Sequence, residues 1–115
     1  MYKRNAPISS VEVESELVRL TNNLESETEE FERLATDHAE KEALFKKQWY
    51  REYLGAEGAV KQRESVAGFK TSDLYYEAQV AEALVKAKRE RLNSLRTACD
   101  ALRTIAANVR SQVKF

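Results

Sequence analysis

Catalytic chemistry needs side chains that titrate, attack or ligate in concert, and this chain offers few. It has one histidine, His38, and one cysteine, Cys99. One of each provides no zinc-ligand spacing. His38 falls in a helix seam, where a polar residue sets register. Cys99 falls in another seam, where it acts as a small hydrophobe. No glycine loop opens a helix in the manner of a phosphate cradle. Gly55-Ala56-Glu57-Gly58 spells a GxxG pattern, but that RNA-binding fold needs strands and Glu57 repels phosphate, so the segment reads as a connector. The carboxylates of Glu25, Glu27, Glu29, Glu30 and Glu32 spread around a helix, whereas paired-carboxylate catalysis needs two of them in one cleft. These residues predict a non-enzyme with no cofactor and no metal.

Two patterns suit binding. In the first, Phe45-Lys46-Lys47-Gln48-Trp49-Tyr50-Arg51-Glu52-Tyr53 is followed, past the glycines, by Lys61-Gln62-Arg63. Cations track a nucleic-acid backbone, and aromatic faces stack on unpaired bases at about 1–3 kcal/mol per base. Phe45, Trp49 and Tyr53 also read as an apolar helix face, so Tyr50, off that stripe, is the stacking candidate. Tyr75 and Tyr76 fall near the same place. The candidate nucleic-acid contacts are Lys46, Lys47, Tyr50, Arg51, Lys61 and Arg63. The second pattern is an arginine column, Arg89, Arg96, Arg103 and Arg110, recurring every seven residues, with Glu16, Glu30 and Asp37 in a seven-spaced column of the first helix. The columns predict interhelical ion pairs. The alternative is a track of guanidinium groups every ~10 Å for phosphates.

The elements that carry these residues follow from periodicity. Residues 1–8 read as a flexible tail. Residues 9–54 read as a long acidic helix ending in the basic-aromatic segment. Ser9 and Glu12 form a capping box at its start. Val13, Leu17, Leu20, Leu24, Phe31 and Leu34 make a heptad seam, with Glu27 and then His38 in its slots. Phe45, Trp49 and Tyr53 step by four, a stutter. Residues 55–72 read as a glycine-bearing connector with a short helix, Ala59 to Ala67, closed by Gly68. Thr71, Ser72 and Asp73 are N-cap candidates for a basic helix over 73–115. Its seam runs Leu74, Ala78, Ala81, Val85, Lys88, Leu92, Leu95, Cys99, Leu102, Ala106, Val109 and Val113. From about Asp73 to Ser111 it would extend roughly 60 Å.

These elements predict an all-α fold: an elongated antiparallel hairpin of two long helices with a short helical connector, coiled-coil-like. A second row, Leu84, Ala98 and Ile105, is too wide for one hairpin to cover. It predicts assembly into a bundle or ring of more than two chains. The composition agrees, with three glycines, one proline and 33% charged residues among 115. Net charge is zero, yet residues 1–42 hold 5 basic and 11 acidic side chains, and 43–115 hold 14 and 8. The two arms either neutralise each other or leave the basic one for a polyanion. No apolar run reaches the ~18 residues of a membrane span. The first residues lack the apolar core of a signal peptide. A lone cysteine suits a reducing cytoplasm.

From about Ala43 to Ala107 the chain resembles phage recombination mediators of the UvsY type. The resemblance rests on Lys46-Lys47-Gln48-Trp49-Tyr50-Arg51-Glu52-Tyr53-Leu54, the break at Gly55 and Gly58, the polar segment Lys61 to Lys70, and a long helix ending in Asp100-Ala101-Leu102-Arg103-Thr104-Ile105. It implies a small helical protein that forms closed rings and binds single-stranded DNA. It also implies help to a recombinase in displacing a single-strand-binding protein, in a host cytoplasm if phage-encoded. Lys46, Lys47, Arg51, Lys61 and Arg63 match the basic segment of that family and would contact DNA. The strongly acidic first helix departs from the family. The alternative is a structural or protein-interaction coiled coil, a virion component or an inhibitor or adaptor of a host protein, without nucleic-acid binding.

Overall fold

A computed structural model describes residues 9–113. The tail expected over 1–8 lies outside the described residues. Three helices follow in order: α1 (Ser10–Gly55), α2 (Val60–Lys70) and α3 (Ser72–Val113). No strand occurs among the described residues. α1 and α3 are the two long arms of a helical hairpin, and α2 lies in the connector. The 46 residues of α1 extend about 69 Å.

The Ser9 hydroxyl accepts the Glu12 N–H at 3.1 Å, the backbone cap that the expected capping box calls for. At the other end, the Ala56 N–H reaches back to the Tyr53 carbonyl at 3.3 Å, tightening the last turn. Gly58 then turns the chain at φ +106°, and a Cβ there would collide with the Gln62 carboxamide oxygen. Arg63 fixes this turn, donating from Nε to the Gly58 carbonyl at 3.0 Å.

The join of α2 to α3 differs from the sequence expectation. Gly68 does not close the short helix, which runs on to Lys70. Ala67 and Thr71 are both fully buried, and this anchoring overrides the weak helix preference of the glycine between them. Thr71 alone leaves helical geometry, at φ −111°, ψ 13°. Nor do its hydroxyl and that of Ser72 cap α3. Thr71 Oγ1 donates back to the Ala67 carbonyl at 2.7 Å, and Ser72 Oγ to Phe69 at 3.0 Å. The end of α2 lies so close that its carbonyls take these hydroxyls. The Tyr75 N–H is meanwhile satisfied by the Thr71 carbonyl at 2.9 Å.

The chain divides into two compact units. The first comprises residues up to Glu29 with those from Glu90 onward. Its interior holds Val13, Leu20, Leu92, Cys99 and Ala106, all buried at the expected seam positions. Glu27, the polar slot of the α1 seam, is answered across the hairpin by Arg91 Nε at 3.1 Å. The second unit spans Glu30–Arg89. Here α3 buries the small residues Ala78, Ala81 and Val85, while α1 brings half-buried Phe31, Phe45, Trp49 and Tyr53. Wide rings on one helix and alanines on the other fill the space between helices. Phe45 meets Tyr75 of α3 edge-on at 5.2 Å, and Lys70 of α2 pairs with Glu52 of α1 at 3.5 Å.

Candidate nucleic-acid interface

The end of α1 sorts its side chains by face. Phe45, Gln48, Trp49, Glu52 and Tyr53 are half-buried, whereas Lys46, Lys47, Tyr50, Arg51 and Leu54 are exposed. At 3.6 residues per turn these two sets fall on opposite sides of the helix. Cations and an aromatic ring therefore share the outer face, as the basic-aromatic spacing predicts.

Tyr50 is 60% exposed. Its ring meets Trp49 edge-on at 5.2 Å, and Trp49 stacks on Tyr53 at 5.3 Å and 12°. The inner aromatic pair thus steadies a ring whose surface remains open to solvent. Phe45, Lys46, Trp49 and Tyr50 line an open pocket of about 220 Å³.

The expected cations are not equivalent. Lys47, Arg51 and Lys61 are exposed and have no ion-pair partner among the described residues. Lys46 is held by Glu42 on its own helix at 3.1 Å. Arg63 is half-buried and committed to the Gly58 carbonyl, so its first role is to shape the connector. Residues 43–70 hold six basic and three acidic side chains, leaving a surplus of positive charge on this segment.

The other named residues separate as follows. The columns expected to pair across the hairpin mostly pair along their own helices. Arg19 Nε donates to Glu16 at 3.1 Å, Arg33 Nε to Glu30 at 3.1 Å, and Lys41 lies 3.2 Å from Asp37. Arg89 sits over the Phe31 ring at 5.7 Å. Arg96 turns to Asn93 and Arg103 to Asp100 at 3.0 Å, while Arg110 is exposed. For Arg103 a carboxylate one turn away wins, because it reaches the arginine without ordering a second helix. In the expected oligomer row, Leu84 is 49% exposed, but Ala98 and Ile105 are half-buried within the hairpin.

His38 has a setting that its seam position did not announce. Its Nε2 lies 3.3 Å from Glu42 and 3.8 Å from Glu82 of α3. Each carboxylate also holds a lysine, Lys46 and Lys86 at 2.8 Å. The hydrogen bond and charge of Lys86 hold the Glu82 carboxyl below the usual carboxylate range, with a smaller contribution from His38. Glu16 is lowered likewise, first by its hydrogen bond from Arg19. Among the described residues no group of three His, Cys, Asp or Glu side chains is placed to hold a metal ion. No described helix is long and apolar enough to cross a membrane.

Sequence reasoning missed the Glu42–Lys46 pair, although its i, i+4 spacing signals it. It also missed Phe69, 82% exposed on α2, which stands outside every periodic row. No protein-family model, curated protein or solved structure matches this chain.

Proposed function

We propose that this protein is a non-catalytic accessory factor that binds single-stranded nucleic acid through the end of α1 and the connector. The observation that carries the proposal is the outer face of α1. There Lys47 and Arg51, with no ion-pair partner among the described residues, flank the exposed ring of Tyr50. Such a face offers what an unpaired strand needs: cations for its phosphates and a ring for its bases. Lys61 adds an exposed cation from α2, and Lys46 joins once phosphate competes with Glu42.

The resemblance to phage recombination mediators supplies the biological setting. In it, the protein assists a recombinase against a single-strand-binding protein in the host cytoplasm, as an oligomer of more than two chains. Titrating Trp49 fluorescence with single- and double-stranded oligonucleotides tests the binding. A single strand stacking beside the indole quenches it, and the duplex does so less.

A specific observation favours the second reading, a protein-interaction coiled coil. Tyr76, Val80 and Leu84 recur every four residues on α3 and are exposed, an apolar stripe suited to a protein partner. Absence of binding to any oligonucleotide at low salt would decide for that reading.

A further inference from the structure

The outer face of α2 carries an arrangement that the hairpin does not use. Lys61, Ser65, Gly68 and Phe69 fall within an arc of about 100° on this helix, and all four are exposed. Phe69 is 82% exposed, so almost none of its ring is spent on folding. Lys61 has no ion-pair partner among the described residues. Between them the surface is low. The Ser65 hydroxyl folds back onto the Lys61 carbonyl at 3.0 Å, and Gly68 has no Cβ, with nothing within 4 Å of where one would stand. Neither a positive φ nor a close neighbour requires glycine at this position. A bare strip of helix backbone thus lies between a free cation and an exposed aromatic ring.

We propose that this face is a second stacking platform for the same single strand, with Phe69 stacking on a base, Lys61 meeting phosphate, and Gly68 leaving room for the strand to lie close. The inference rests on the proposed function and extends it from one helix to two. Lys61 and Phe69 are separated by about 12 Å along the helix, so one strand can place a phosphate at the first and a base at the second. Glu64 is exposed on the flank of this face, yet residues 43–70 together carry six basic and three acidic side chains, a surplus that favours a polyanion over a second copy of the chain as occupant.

The test uses the full chain and a fluorescently labelled oligothymidylate, with anisotropy as the readout. Phe69→Ala should weaken binding about tenfold, in line with the loss of one stacked base. It should leave the salt dependence unchanged, and Phe69→Trp should restore affinity. Gly68→Gln should raise the melting temperature, because it replaces a poor helix former with a good one on open surface. It should nonetheless weaken binding several-fold. If Phe69→Ala binds like the wild type while Tyr50→Ala is impaired, the α2 face makes no contact, and the site on α1 stands alone. If Phe69→Ala lowers the sedimenting mass and binding falls only with it, a second copy of the chain covers this face and the inference is overturned. Failure of the wild type to bind at low salt would instead remove the proposed function itself.

Discussion

Gly58 lies before α2 and Gly68 inside it, and the two answer to different physics. Gly58 sits at φ +106° with the Gln62 side chain against it. Gly58→Ala should therefore destabilise the protein by roughly 1–3 kcal/mol, seen as a lower melting temperature. Gly68 has helical backbone and open space. Gly68→Ala should stabilise by about 1 kcal/mol through its helix propensity. Equal effects of the two substitutions would contradict the assigned geometry. The cations divide in a comparable way. Arg63 holds the connector through Gly58, so Arg63→Ala should lower stability as well as binding. Lys47 and Arg51 have no ion-pair partner among the described residues, so their removal should leave the unfolding free energy within about 0.5 kcal/mol of the wild type.

At the scale of elements, the pairing of α1 with α3 depends on matched residue sizes. Leu92 is buried in the first unit, and Ala81 is buried in the second, the unit that holds the α1 rings. Leu92→Ala should cost about 2–5 kcal/mol, and Ala81→Leu about 1–3 kcal/mol by overpacking, both measurable by denaturant titration. Local ion pairs add a pH dependence with a definite sign. The carboxyl groups of Glu16 and Glu82 titrate below the ordinary glutamate value of about 4.5 because of their basic neighbours. Their stabilisation is present above that value and is lost as pH falls through the lower folded values. Melting temperature should drop on acidification below about pH 4.5, and Lys86→Met should blunt the drop. The helices themselves were legible from spacing, since the heptads and the four-step run of Phe45, Trp49 and Tyr53 need only one face each. Their joins were less so. Gly68 read as a stop because propensity is local, while burial of Ala67 and Thr71 is tertiary. Arg103 read as interhelical because sequence spacing cannot rank Asp100, one turn away, against carboxylates on another helix, while Arg89 does reach α1, at the Phe31 ring. Phe69 left no signal because a single exposed ring has no period.

For the whole molecule, the exposed large hydrophobic side chains gather in the second unit. Among the described residues, Leu44, Tyr50, Leu54, Val60, Phe69, Tyr75, Tyr76, Val80 and Leu84 are its exposed large hydrophobics. The first unit has Val11 and Val18. The expected self-association would therefore use Leu84 and its neighbours Tyr76 and Val80 more than Ala98 and Ile105, which the hairpin already half-covers. Sedimentation should show a species of more than two chains whose stability rises with protein concentration. Leu84→Glu should shift it to smaller mass with helicity retained by circular dichroism. A monomer at ~100 μM, far above the micromolar range of moderate affinities, would contradict the expected assembly.

The most direct test is the salt dependence of single-strand binding by the wild type, Tyr50→Ala and the double variant Lys47→Ala/Arg51→Ala. Counterion release lowers the logarithm of affinity with the logarithm of salt by ~0.7 for each phosphate neutralised. Removing two phosphate-binding cations should weaken binding and reduce that slope by about 1.4. Tyr50→Ala should weaken binding at an unchanged slope, because stacking releases no ions. A wild type that fails to bind at low salt, or a double variant with the wild-type affinity and slope, would contradict the assignment of the α1 face to nucleic acid.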